Sequence, residues 1–429
     1  MESRAPQVSF AEAFWTWLKV GCLGFGGPAG QIALMHRVIV DEKKWVEEER
    51  YLHALNFCML LPGPEAQKLA TYVGWLLHGV RGGLAAGILF VLPGALVMLA
   101  VSLLYVLGQG IPVVEGALFG IKAAVLVIVV EALLRIGRRA LKSRLLVALA
   151  GGAFVGIFFV DLPFPLIVVA AAAIGFFATP RSDAPIPATP RGQWSYAARA
   201  GVIGLALWWA PVALAVLWLG PAHVFVDIGL FFSKLATVSF GGAYALLSYM
   251  AQEAVETYRW MTAAEMVDGL GLAETLPGPL IKITQFVGFL GAWRNPDPLS
   301  PLVAGVLGSA LTTWVTFTPP MLLIFALAPF VEQLRANKRL SGALQAITAA
   351  VVGVILNLTV WFVLHVLFPE VTEARAGPLR WYAVDPLSVD LKALGLAALA
   401  AILAFRFHRG LVQLVVIMAT VGVAMRLVF

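Results

Sequence analysis

The chain has 429 residues, 60% of them hydrophobic and 13% charged, and a net charge of +6. A soluble protein carries about 25% charged residues, so most of this surface is excluded from water. The long Leu/Val/Ala runs lack barrel-like alternation, which leaves an all-α integral membrane protein. Its basic residues fall in short loops, the positive-inside pattern, and imply a lipid bilayer and no nucleic acid as partner.

Taken in order, the first half reads as helical regions near 10–35, 50–78, 82–108, 115–137, 145–160 and 164–178. A Pro/Ser/Arg-rich stretch, 179–194, follows as a linker. One unpaired apolar segment, 200–219, precedes a second half with helical regions near 228–255, 262–291, 302–330, 341–366, 388–405 and 410–428. The start, with Glu2, Arg4 and Glu12, does not read as a cleavable signal peptide. Cys22 and Cys58 have no metal-ligand spacing and read as small buried apolar side chains.

The halves are copies. At an offset of 215 residues, Lys19 meets Lys234, and Phe25-Gly26-Gly27 meets Phe240-Gly241-Gly242. Trp45 meets Trp260, and Leu61-Pro62-Gly63-Pro64 meets Leu276-Pro277-Gly278-Pro279. Shared Ala and Leu alone would be a matter of composition, but shared Lys, Trp and Pro-Gly-Pro are a repeat. The expected organisation is a first repeat at 1–178, a linker and inverting helix at 179–227, and a second repeat at 228–429. The Trp45/Trp260 match reads as an interfacial anchor.

Loop charge predicts that the copies are inverted. After its fourth helix the first half carries Arg135, Arg138, Arg139, Lys142 and Arg144, while the equivalent His365–Glu370 has no Lys or Arg. Before that helix the bias reverses, with Arg335, Lys338 and Arg339 in the second half and none between Gly108 and Glu115. The N-terminus and linker are thus expected in the cytoplasm and the C-terminus outside.

Inverted repeats place substrate near the midplane, where broken helices meet. The candidate breaks are Gly26-Gly27, Gly241-Gly242, Pro62-Gly63-Pro64 and Pro277-Gly278-Pro279. A helix restarting after such a break turns unpaired N–H groups and the positive end of its dipole inward, a ready anion site. Lys19 and Lys234 either snorkel to an interface or face a cavity. Lys68 and Lys282, just inside helix N-termini, need a compensating anion. Glu65 and Glu274 are the carboxylates at hand, as structural partners or as coupling groups. Lys122 and Glu131 form a further polar stripe. The six histidines lack metal spacing, and no nucleotide loop, catalytic triad or CxxC appears. No enzyme activity, cofactor or metal is expected.

With these residues in view, the chain resembles the chromate ion transporter family in its long two-domain form, over about 10–178 and 228–428. The resemblance rests on Gly24-Phe25-Gly26-Gly27-Pro28, on Pro62-Gly63-Pro64-Glu65-Ala66 and on their second-half counterparts. It implies chromate efflux across a bacterial cytoplasmic membrane, chromate resistance, and substrate-binding roles for Gly26, Gly27, Pro62, Gly63, Pro64, Glu65 and their mates. Leu280 stands where the first half has Glu65, so the halves are not chemically equivalent. A tetrahedral dianion needs converging N–H donors and one or two cations, which Lys68 and Lys282 would supply. Another oxyanion such as sulfate is the alternative substrate. A membrane-bound chromate-reducing enzyme is the alternative of another class, against which stand the missing cofactor motif and the two cysteines 36 positions apart. A homodimer is compatible with all of this.

Overall fold

The computed structural model describes residues 8–25, 27–180, 192–240, 243–331 and 337–428. It is helical almost throughout, as a chain in hydrocarbon must be to satisfy its own backbone. The first half runs α1 Phe10–Leu23, α2 Gly27–His36, α3 Glu48–Met59, α4 Glu65–Leu107, α5 Pro112–Ala140, α6 Arg144–Val160 and α7 Phe164–Ala178. After α8 Gln193–Leu219 come α9 Val224–Thr237, α10 Ala243–Gln252, α11 Ala263–Thr275, α12 Ile283–Arg294 and α13 Pro301–Leu327. The chain ends in α14 Lys338–Leu367, β1 Thr372–Ala376, β2 Leu379–Ala383, α15 Leu391–Ala401 and α16 Leu411–Val428. Starts are capped as the sequence dictates: Ser9, Ser143 and Ser300 accept from Glu12, Leu146 and Val303 N–H, and Asp390 from Lys392 and Ala393.

Four helical regions are cut where the sequence places Gly and Pro. The gaps lie between α1 and α2, α3 and α4, α9 and α10, and between α11 and the 3₁₀ turn Leu280–Lys282 that leads into α12. The resulting pieces are short: α1, 14 residues long, reaches ~21 Å at 1.5 Å per residue, against ~30 Å of hydrocarbon. Among the described residues, six helical stretches are long and apolar enough to cross a membrane: α4, α5, α8, Pro301–Phe330, α14 and α16.

The chain divides into two compact units, neither of which is one half of the sequence. Unit 1 comprises 1–100, 180–243 and 276–341; unit 2 comprises 101–179, 244–275 and 342–429.

In unit 1, α1 and α2 fold back on each other. Lys43, beyond α2, reaches Glu12 in the first turn of α1 at 2.7 Å. α4 is a hairpin within one helix, broken at His78–Gly79. Its two arms touch at Gly74 and Gly82, where a Cβ on either would overlap the other's carbonyl. The His78 ring meets the Val8 carbonyl at 2.8 Å, so the turn of α4 lies beside the start of α1. In the second half, His223 at the head of α9 likewise meets the Asp297 carbonyl just after α12, at 2.5 Å. α13 packs on α8, α9 and α12.

In unit 2, α5 lies along α16. Gly116 and Gly120 of α5 face Gly422, and a Cβ at any of the three would overlap backbone of the opposing helix. This is small-xxx-small packing. Two ends are distinguishable by their residues. At one, Arg135, Arg138 and Arg139 share a pocket with His408 and Arg409. At the other, Arg426 pairs with Glu115 at 2.7 Å. The strand pair β1–β2, antiparallel with Ala374 opposite Trp381, is an element the sequence reading lacks. Its Arg380 is 1% exposed. That guanidinium reaches Asp161 at 2.8 Å and the carbonyl of Ile157 at 2.8 Å, with Glu256 and Glu373 at 3.8 and 3.9 Å. Burial lifts the Glu256 carboxyl above the usual range, against the pull of Arg380.

Two sequence expectations are corrected. Cys58 is buried but Cys22 is exposed, because its position on α1 falls outside the face carrying Trp17, Val20 and Gly21. Trp45 and Trp260 are 5% and 3% exposed, so they pack inside the protein and do not face the lipid.

Candidate functional site

The breaks create the site. Each stops one helix and starts another, and the new starts reach one small pocket lined by unit 1 residues. It is lined by Pro28 at the start of α2, Pro64, Glu65 and Ala66 at the start of α4, Ala243 at the start of α10, and Pro279, Leu280 and Ile281 leading into α12. First-turn N–H groups have no partner within their own helix, and each start carries about half a positive charge. Four such ends therefore point at one space. Glu65 is the one charged residue among those that line it.

Crossed hydrogen bonds hold the breaks in register. The N–H of Gly63 donates to the Ser239 carbonyl at 2.8 Å, and the N–H of Gly278 donates to the Gly24 carbonyl at 2.9 Å. At the offset of 215, Gly63 corresponds to Gly278 and Gly24 to Ser239. Each Pro-Gly-Pro is thus tied to the Phe-Gly-Gly segment of the other half by the same bond. Gly63 and Gly278 adopt φ of +105° and +93°, which favours glycine. Gly63 also lies against the ring of Pro320, and Gly278 against Gly94.

The lysines after the two Pro-Gly-Pro segments play matching parts. Lys68 is 1% exposed and Lys282 2%. Lys68 Nζ donates to the carbonyl of Leu61. Lys282 Nζ donates to Leu276 at 3.0 Å and to Gly278 at 3.2 Å. Leu61 and Leu276 are repeat mates that follow α3 and α11. Each lysine therefore turns back over its own break to carbonyls at the end of the preceding helix, where a cation is favoured. This geometry, and not Glu65 alone, accounts for a lysine beside a helix N-terminus.

The remaining candidates lie elsewhere. Lys19 and Lys234 are exposed on α1 and α9 and do not line the pocket. Glu274, in unit 2, accepts from the Tyr244 hydroxyl at 2.5 Å. Gly26, Gly241 and Gly242 lie outside the described residues.

Three glutamines escaped the sequence reading. Gln31 lines the pocket, is 1% exposed, and donates from Nε2 to Gly24 at 3.2 Å and Gly278 at 2.7 Å. Gln67 donates to Phe317 at 3.0 Å and Gln285 to Ala95 at 2.8 Å. In each, Oε1 has no hydrogen-bond partner. An uncharged amide inside an apolar helix was the available signal, but Gln31 has Leu246 as its repeat mate and so drops out of a search for matched residues.

A sequence profile of the family described as "Chromate transporter" matches residues 11–176 and 226–425. The chromate transport protein of Pseudomonas aeruginosa is 32% identical over 449 residues, covering 100% of this chain and 94% of that one. A probable chromate transport protein of Synechococcus elongatus is 27% identical over 83% of this chain and 85% of its own. The chromate transport protein of Cupriavidus metallidurans is 26% identical over 82% of each. No solved structure matches the chain.

Proposed function

The chain belongs to the chromate transporter family, and we propose on that premise that it exports chromate by exposing the unit 1 pocket alternately to the two sides. The supporting observation is the convergence of four helix N-termini, two from each half, on a pocket with a single carboxylate. A tetrahedral dianion offers four acceptor oxygens, and backbone N–H groups with aligned dipoles are suited to it. Lys68 and Lys282 add charge from behind the breaks while bracing them. The cycle in this reading is secondary active transport, drawing on an ion gradient rather than on a nucleotide.

In this reading α1–α2 and α3 with the first arm of α4 are re-entrant pairs on the cytoplasmic side. α9–α10 and α11–α12 are their inverted counterparts. Helix length supports it, as do the Glu12–Lys43, His78–Val8 and His223–Asp297 contacts. Inversion is further supported within unit 2. The basic last turns of α5 share a pocket with the segment between α15 and α16, although the two end different helices of their repeats. The N-terminus and linker are then cytoplasmic and the C-terminus external.

Glu65 lowers affinity by its charge, which repels an oxyanion in the pocket, so Glu65→Gln is expected to tighten binding. Labelled chromate uptake into inside-out vesicles, under imposed proton or sodium gradients, tests the proposal. Uptake that is absent, or independent of every gradient, overturns it. Excess unlabelled sulfate decides the sulfate reading, since the two dianions differ little in charge and shape. Recovery of the accumulated metal as intact chromate excludes reduction.

A further inference from the structure

Unit 2 contains a buried charged cluster that the oxyanion pocket does not use. Asp268 of α11 is 3% exposed. Its Oδ2 accepts from the Tyr105 hydroxyl at 3.0 Å, and Lys122 Nζ lies 3.3 Å from the same oxygen. Its Oδ1 has no hydrogen-bond partner. All three side chains line one pocket. An ion pair taken out of water repays its desolvation only when its remaining lone pairs are satisfied, and here half of the carboxylate is left unsatisfied. Lys122 keeps 24% of its side chain exposed while Asp268 is buried, and a buried carboxylate beside a specific charge partner in a cleft is a candidate functional group.

Most of the surrounding charges have partners of their own. Glu115 on α5 and Arg426 on α16 pair at 2.7 Å. Asp390 caps α15 through Lys392 and Ala393 N–H. On α11 itself, Glu265 accepts from Thr262. Lys392 lines the same pocket. Asp268 is therefore the acid with a vacant acceptor, next to the cation that its charge holds.

We infer that Tyr105, Lys122 and Asp268 form a proton-binding site distinct from the oxyanion pocket, with Asp268 Oδ1 taking up the coupling proton. The inference rests on the transport reading above. The carboxylate gains one proton to become a neutral acid, the cluster goes from zero to one positive charge, and the Lys122–Asp268 attraction is lost. That attraction fastens α11 to α5. The chain leaves α11 at Thr275 and enters Pro277-Gly278-Pro279 directly, so releasing α11 loosens a segment that ends at one of the four breaks. The second repeat alone carries the acid: its mate in the first is His53, and Lys122 meets Thr348 at the offset of 226 that aligns Gly116-Ala117-Leu118 with Gly342-Ala343-Leu344.

Two measurements on the purified full chain in liposomes decide it. Chromate exchange at equal pH on both sides first shows whether the protein transports chromate; its absence defeats the transport reading, and the second measurement still decides the site. Gradient-driven flux divided by exchange flux is then compared between wild type and Asp268→Asn. The ratio is expected to fall about tenfold, within the usual range of coupling between sites, and to recover in Asp268→Glu. An unchanged ratio, or an equal loss of both fluxes that Asp268→Glu does not restore, makes the cluster structural and overturns the inference. Second, infrared difference spectra between acid and alkaline pH should contain a carboxylic C=O band that is missing in Asp268→Asn and shifted in Lys122→Gln. If Asp268→Asn retains the full band, the inference fails regardless of transport.

Discussion

Gly63 and Gly278 are repeat mates with nearly the same backbone, yet substitution should not affect them equally. Alanine at either is strained by about 1–2 kcal/mol at positive φ. At Gly63 the new Cβ would also overlap the Pro320 ring, whereas at Gly278 it would stand 3.4 Å from Gly94, an ordinary contact. Gly63→Ala is expected to lower the thermal midpoint and abolish uptake, and Gly278→Ala to retain a measurable fraction of both. The lysines should behave alike: Lys68→Met and Lys282→Met each lose a charge and a brace. Each should raise the chromate concentration for half-maximal uptake by about tenfold, equivalent to 1.4 kcal/mol. Unchanged values in both would remove the cations from the site. These residues were legible because they repeat. Gln31 was not, because a residue present in one half leaves no echo, and the crossed bonds were not, because a repeat shows which residues correspond but not which ones touch.

Helices here are held by close approach at small residues, since apolar side chains gain little from burial when lipid is equally apolar. Leucine at Gly120 would overlap the Met418 backbone of α16 and should separate α5 from α16. Reduced yield and loss of a monodisperse gel-filtration peak for Gly120→Leu are the expected result, with Gly151→Leu, where a Cβ meets nothing within 4 Å, as the neutral control. The β-hairpin depends on charge instead. Arg380→Ala leaves Glu256 without its cation while Asp161 and Glu373 keep Arg375, and should cost less than the about 3–5 kcal/mol of a fully buried broken pair. The Glu256 carboxyl is already raised by burial and rises further without Arg380. A raised folded value means that protonation stabilises, so the deficit should shrink as pH falls and grow as it rises, measurable as thermal midpoints across pH. The sequence announced the long helices by apolar length. It hid the hairpin, because Thr372–Ala376 is short, largely exposed and without apolar alternation.

For the molecule as a whole, the proposed topology fixes which loops share a side. With Cys22 and Cys58 replaced by alanine, a cysteine at Arg409 should react with a membrane-impermeant thiol reagent only from the cytoplasm. One at Pro378 should react only from outside. Arg409 reacting only from outside, with Pro378 only from the cytoplasm, would overturn inversion. The helical regions were readable from hydropathy, but the re-entrance proposed for four of them was not: a region of some 25 apolar residues spans a bilayer or folds at its Gly-Gly with the same composition. The crossed bonds also have a consequence in time. The Gly63 N–H and the Gly24 carbonyl are synthesised long before Ser239 and Gly278 exist. At about 5–20 residues per second, the first repeat waits roughly 10–40 s with its broken helices unlatched. The nascent protein is therefore most exposed to misassembly and proteolysis in the interval before its second half arrives, and a stall in the linker would leave an inserted but unfinished pore.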